Sequence, residues 1–195
     1  MINHLENFLG VEFTLTYIIS QIIGFVALGF IAYSYQKKTQ GKILRLQFIA
    51  GMLFFVSMMV QGAYTGAVLN IIGAGRSFVY SRCSEKKWAN NILFPIFFLI
   101  AFTISTIFTW ERWYSLLPLA AMLITTIAYR STNATFVRAI SLPCSICWMI
   151  YGIIIGNVSG LSTEIFVSSS IIIGLIRYDL PKLKKKKCGA VTQTK

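Results

Sequence analysis

Few residues of this sequence can do chemistry, and Glu164 stands first among them because it lies inside an apolar run. A carboxylate placed in hydrocarbon costs about 2.5–3.5 kcal/mol, so it is expected to face a water-filled cavity or a partner. There it can hold a polar solute or a proton. The simpler use is that Glu164, one turn from the outer end of its run, reaches water directly. Shifting the sequence by 94 residues lays Glu164 on Asn70, which puts an amide and a carboxylate at the same depth of equivalent helices. Ser168, four residues beyond Glu164, and Ser77, seven beyond Asn70, share their faces and extend the pair into a polar stripe. Helix–helix packing by small residues is the commoner use of such serines. The same shift overlays Phe54 on Trp148, whose faces suit stacking on a flat solute or packing against core and lipid. Arg76 lies about 9 Å from the nearer end of its run at 1.5 Å per residue, within reach of snorkelling outward. Pairing with Glu164 or an anionic solute is the alternative. Gln21, Gln47 and Gln61 suit hydrogen bonds between helices.

Other chemistry is missing. There is no Ser-His-Asp set, no second carboxylate within a span and no H-E-x-x-H; Gly73-Ala-Gly75 is not followed by the Lys-Ser or Lys-Thr of a phosphate loop. An enzyme is not expected. Cys144 and Cys147 form a C-x-x-C inside an apolar run, and the sole histidine is His4, so they read as apolar packing, with no metal site and no cofactor. Cys83 and Cys188 adjoin basic clusters and are expected on the reducing, cytoplasmic side.

The elements that must position these residues are long apolar runs. Of 195 residues, 56% are apolar and 12% charged, too few polar groups to cover a soluble domain; the mean hydropathy is +0.69. Seven runs stand out: Phe13–Tyr35, Ile43–Val60, Tyr64–Ser81, Ala89–Thr109, Trp113–Tyr129, Ala139–Ile155 and Leu161–Ile176. Runs this long and unalternating read as helices, not barrel strands. The net charge of +12 is clustered between the runs. Seven spans with the N-terminus outside put all the basic residues on the cytoplasmic side except Arg112 and Arg76, which is positive-inside patterning and not a nucleic-acid footprint. The expected fold is therefore an all-α integral membrane protein of seven transmembrane helices, with its N-terminus outside and its C-terminus in the cytoplasm.

The 94-residue shift gives the organisation. Gly62 meets Gly156, Thr65-Gly66 meets Ser159-Gly160, Ala27 meets Ala121, and Gly24 meets Pro118. This predicts 3+1+3 parallel repeats: a short outer segment 1–12, a triple-helix repeat 13–81, a loop and linker helix 82–112, a second repeat 113–177, and a polybasic tail 178–195 on anionic lipid. A crevice between the bundles is the natural solute site. Gly24, Gly51, Pro118 and Pro143 are hinge candidates, since each weakens a helical ladder.

The order of Gln21-Ile-Ile-Gly24, Gly62…Thr65-Gly66…Leu69-Asn70, Arg76 and Cys-x-x-Cys-Trp148 resembles the YgjV-type bacterial inner-membrane proteins, from about Tyr17 to Asp179. That family is similar in architecture to the MtN3/SWEET and PQ-loop group. The resemblance implies a carrier of small polar solutes working by alternating access, with polar side chains on the third and seventh helices and aromatics on the second and sixth. Where that group has prolines in four helices, this chain has Pro118 and Pro143, with Gly24 and Gly51 at the other places. A non-transporting receptor or accessory subunit is the alternative on the same fold. The expected partners are the lipid bilayer and a small polar solute; self-association is left open.

Overall fold

A computed structural model describes residues 14–35, 40–82, 91–128, 134–174 and 176. The N-terminal segment 1–12, the tail 178–195, Cys83 and Cys188 lie outside the described residues, so expectations for them are not met with structure. Among the described residues there are seven α-helices and no strand: α1 Leu15–Tyr35, α2 Gln40–Gln61, α3 Tyr64–Ser81, α4 Leu93–Phe108, α5 Leu116–Ala128, α6 Ala134–Ile154 and α7 Val158–Gly174. A 3₁₀ turn, Trp113–Ser115, leads into α5.

Each apolar run of the sequence holds one helix. α3 matches its expected bounds at both ends despite Asn70, Arg76 and its glycines. Only α1 and α2, over Leu15–Ser34 and Gly41–Gln61, are long and apolar enough to cross a bilayer unaided. Four others are shorter apolar helices, the first of them Leu93–Phe108. Sixteen residues rise about 24 Å, short of a hydrocarbon core of about 30 Å.

Large apolar side chains cover the exterior, and the interior mixes apolar residues such as Leu69 and Phe102 with small hydroxyl side chains. Ile22, Phe25, Phe97, Ile107, Ile127, Ile153 and Ile173 are exposed, whereas Ser20, Ser57, Thr65, Thr126 and Ser159 are fully buried. These five hydroxyls are satisfied locally or by a neighbour; Thr126 Oγ1 donates to the Met122 carbonyl (2.6 Å) and Ser57 Oγ to that of Ser20 (2.7 Å). That is the packing of helices in lipid, where small polar residues join helices and apolar side chains face outward.

The helices close a ring. α1 packs on α2 and α7, α2 on α3, α3 on α5, α5 on α6, and α6 on α7, while α4 lies against α3 and α5. Tight approach depends on missing side-chain volume at Gly24, where a Cβ would sit 2.0 Å from Ser159 Oγ and 3.2 Å from Ser57 Oγ.

Two turns have the same construction. α2 ends at Gly62 with φ +81°, α6 at Gly156 with φ +66°. In the first, Gly62 N donates to Met59 O and Ala63 N to Met58 O; in the second, Gly156 N donates to Ile153 O and Asn157 N to Gly152 O. Both are Schellman closures, in which a left-handed glycine satisfies the last carbonyls of a helix. Every donor and acceptor of one turn lies 94 residues from its counterpart in the other.

Candidate functional site

Between the helices lies a cavity of about 210 Å³, large enough to hold several waters or a small solute. Its wall is built from α1, α2, α3, α5, α6, α7 and Asn157; among the described residues α4 contributes none. Seven pairs of wall residues are related by the 94-residue shift: Ile31 and Thr125, Gln47 and Ser141, Gly51 and Ser145, Phe54 and Trp148, Met58 and Gly152, Asn70 and Glu164, Gly73 and Val167.

The structure brings Asn70, Glu164, Phe54, Trp148 and Ser77 to this wall. Phe54 is buried among Ala27 and Ala50, while Trp148 packs edge-on to Tyr151 at 5.9 Å between ring centres. Ser168 is not on the wall, and its buried hydroxyl has no hydrogen-bond partner among the described residues. The wall face of α7 comprises Gly160, Thr163, Glu164 and Val167; Glu164 is at its edge, and Ser168 lies about 40° further round the helix on that side.

Asn70 Nδ2 donates to the Gly66 carbonyl (2.9 Å) and to Met58 Sδ (3.4 Å). A carbonyl can only accept, so the amide orientation is fixed and Oδ1 remains as an acceptor. Glu164 Oε2 accepts from Ser145 Oγ at 2.6 Å. No other hydrogen bond and no ion pair reaches Glu164 among the described residues.

Arg76 does not snorkel. It is 6% exposed and turns inward, where Nη1 donates to Met122 O (3.2 Å), Thr125 Oγ1 (3.2 Å) and Thr126 Oγ1 (2.5 Å), with Cζ 5.5 Å from the Phe102 ring centre. Three oxygens and an aromatic face on α4 and α5 offer the guanidinium a better site than a stretched route to water. It forms no pair with Glu164.

The hinge candidates occupy different settings. Gly24 is a tight contact, and Gly51 is a wall residue whose Cβ would meet that of Ala74 at 3.0 Å. Pro118 is fully buried in the first turn of α5, where no backbone N–H is required. Pro143 lies exposed inside α6.

At the end of the bundle holding the two Schellman turns, the helices are tied together. Gln61 Nε2 donates to the Ile155 carbonyl (2.8 Å), its own counterpart under the shift, and Tyr17 Oη to the Gly156 carbonyl (2.9 Å). The second residue of α3 and of α7 each receives a cap from elsewhere: Thr65 N donates to Glu111 Oε1 (3.0 Å) and Ser159 N to Gln21 Oε1 (2.9 Å). Gly66 N donates to Tyr151 Oη at 3.0 Å.

Among the wall residues not singled out from the sequence, three polar ones matter here. Ser145, the counterpart of Gly51, is visible through the repeat. Tyr151 matches only Ser57 and gives no signal. Asn157 follows Gly156 and looks like a turn residue; it is also the N-cap of α7, with Oδ1 accepting from Gly160 N (2.8 Å) and Ser159 Oγ (2.9 Å). Its Nδ2 is buried without a hydrogen-bond partner among the described residues. No group of three or more His, Cys, Asp or Glu that could hold a metal occurs among the described residues.

An all-helical chain with an apolar exterior and two helices long enough to cross a bilayer has the make-up of a membrane protein. Residues 18–182 match the Imp-YgjV family, described as bacterial inner membrane protein, and the chain belongs to that family. No curated protein and no solved structure matches it.

Proposed function

We propose that this inner membrane protein is a transporter or facilitator of a small polar solute. In this reading α1–α3 and α5–α7 are two like-oriented bundles joined by α4, spanning the membrane seven times as 3+1+3 with the N-terminus outside. The bundles rock about a solute held at Asn70 and Glu164. The observation that carries it is the cavity whose wall draws seven residue pairs from the same positions of the two bundles, one of them Asn70 with Glu164. The reading is also supported by the helix ends tied together at one end of that cavity. Under the proposed orientation that is the outer end, which makes this the inward-facing state of an alternating-access cycle. Lys42, Arg45 and Arg82 stand at the opposite, inner end, as positive-inside patterning requires.

The experiment is uptake by proteoliposomes containing the purified protein, across a panel of small polar solutes. The expected result is saturable uptake that falls at least tenfold in Asn70→Ala and Glu164→Ala while both variants fold. Uptake indifferent to both substitutions overturns the site. Absence of uptake, together with a stoichiometric protein partner on purification, favours the receptor or accessory-subunit reading.

A further inference from the structure

We infer that the cavity seats a protonated amine, and that the solute it takes is a small polar amine carrying a hydrogen-bond acceptor at its other end. The inference rests on the reading of the cavity as a solute pathway.

Four wall residues lie at one depth. Phe54 and Asn70 are each eight residues from Gly62, on either side of the turn, and Trp148 and Glu164 are each eight from Gly156. At 1.5 Å per residue all four sit about 12 Å from the turns. This level of the cavity therefore combines two aromatic side chains with two hydrogen-bond acceptors.

The acceptors have capacity to spare. Ser145 uses one oxygen of Glu164, leaving Oε1, and Asn70 Oδ1 is left by the bond from Nδ2 to Gly66. A carboxylate in a lipid-embedded wall with no ion pair among the described residues calls for a cation or a proton. An ammonium brings three donors and a full charge, and it is attracted to the faces of Trp and Phe. A hydroxyl brings one donor and no charge. The cavity's other charged group, Arg76, lies six residues further along α3 than Asn70, about 9 Å of helix, and is held by Met122, Thr125 and Thr126.

The other end of the solute is set by Asn157. It is 1% exposed and on the cavity wall; Gly160 N fixes its oxygen, and Nδ2 is a donor with no hydrogen-bond partner among the described residues. A buried donor left unsatisfied is costly, so an acceptor on the solute is favoured there. Asn157 and Glu164 are seven residues apart along α7, about 10 Å. The solute is therefore elongated, amine toward Glu164 and acceptor toward Asn157.

The test uses the full-length protein in lipid nanodiscs and two probes of equal length, 6-aminohexanoate and 6-hydroxyhexanoate, with binding read by calorimetry. The expected preference for the amine is about ten- to hundredfold, the size of a hydrogen bond to a charged group. Glu164→Gln keeps the shape, removes the charge and abolishes the preference. Trp148→Leu lowers it while leaving the polar groups in place. Asn157→Asp keeps the cap but loses the donor, and weakens both probes. Equal binding of the two probes, binding of neither, or a preference that survives Glu164→Gln overturns the inference; the last result means that Glu164 holds a proton. Uptake of a neutral polyol that depends on Asn70 and Glu164 leaves the transport reading standing without the amine. Amine binding with no uptake of any solute does the reverse.

Discussion

The turns that join α2 to α3 and α6 to α7 share a backbone plan, and the helices around them differ in what they place on it. The two turns close with the same hydrogen bonds, and seven pairs of wall residues lie 94 positions apart. Yet Gly51 answers to Ser145, Gly73 to Val167, Phe54 to Trp148 and Asn70 to Glu164. At these four positions α2 and α3 supply room, a phenyl ring and an amide, while α6 and α7 supply a hydroxyl, bulk, an indole and a carboxylate. Backbone geometry is shared because a turn glycine and a close helix contact tolerate few alternatives, while a cavity wall tolerates many. The acidic charge is therefore one-sided, on α7, while the other charged wall residue, Arg76, lies on α3.

The largest way to test that asymmetry is to remove or copy the charge. In a helix-insertion assay, Glu164→Leu is expected to ease insertion of α7 by about 3–4 kcal/mol, and Asn70→Glu to impair α3, already the least apolar candidate. Insertion of α7 unchanged by the loss of Glu164 means that the carboxylate sits at the water interface and not at depth.

Next comes the Gly24 and Pro118 pair. Gly24→Ala drives a methyl group into Ser159 and is expected to cost about 1–3 kcal/mol in reversible unfolding of the purified protein. Pro118→Ala, in the first turn of α5, is expected to change stability by less than about 1 kcal/mol. Similar costs at the two positions mean that the helix contacts are shared as closely as the turns.

The smallest expected effect is at the join. Gln61→Ala removes one interhelical bond, to Ile155, for about 0.6 kcal/mol, and leaves both Schellman turns intact. A loss above about 2 kcal/mol in the same unfolding measurement means that this bond holds the bundle closed and does more than trim it.

Much of this was legible in the sequence. Helix positions follow from apolar runs, and the 94-residue offset, read from sparse identities such as Gly62 with Gly156, points to the two turns that close alike and to two polar residues, Asn70 and Glu164, that lie on one cavity wall. The rest depends on side-chain direction, which spacing does not carry. Ser168 shares a nominal face with Glu164, but Glu164 is at the edge of the wall and Ser168 lies further round, beyond it. Arg76 is near enough to an end to snorkel, and only the neighbouring threonines of α5 and the ring of Phe102 turn it inward. Asn157 carries a turn residue's signature and no other.

The bond from Tyr17 to the Gly156 carbonyl joins residues 139 positions apart. At about 5–20 residues per second of synthesis, a ribosome makes the second partner on the order of ten seconds after the first. Until then α1 has no α7 to rest on, and its small-residue groove at Gly24 lies open to lipid or to whatever attends the nascent chain. Assembly of this protein is therefore completed from its last helix backward to its first.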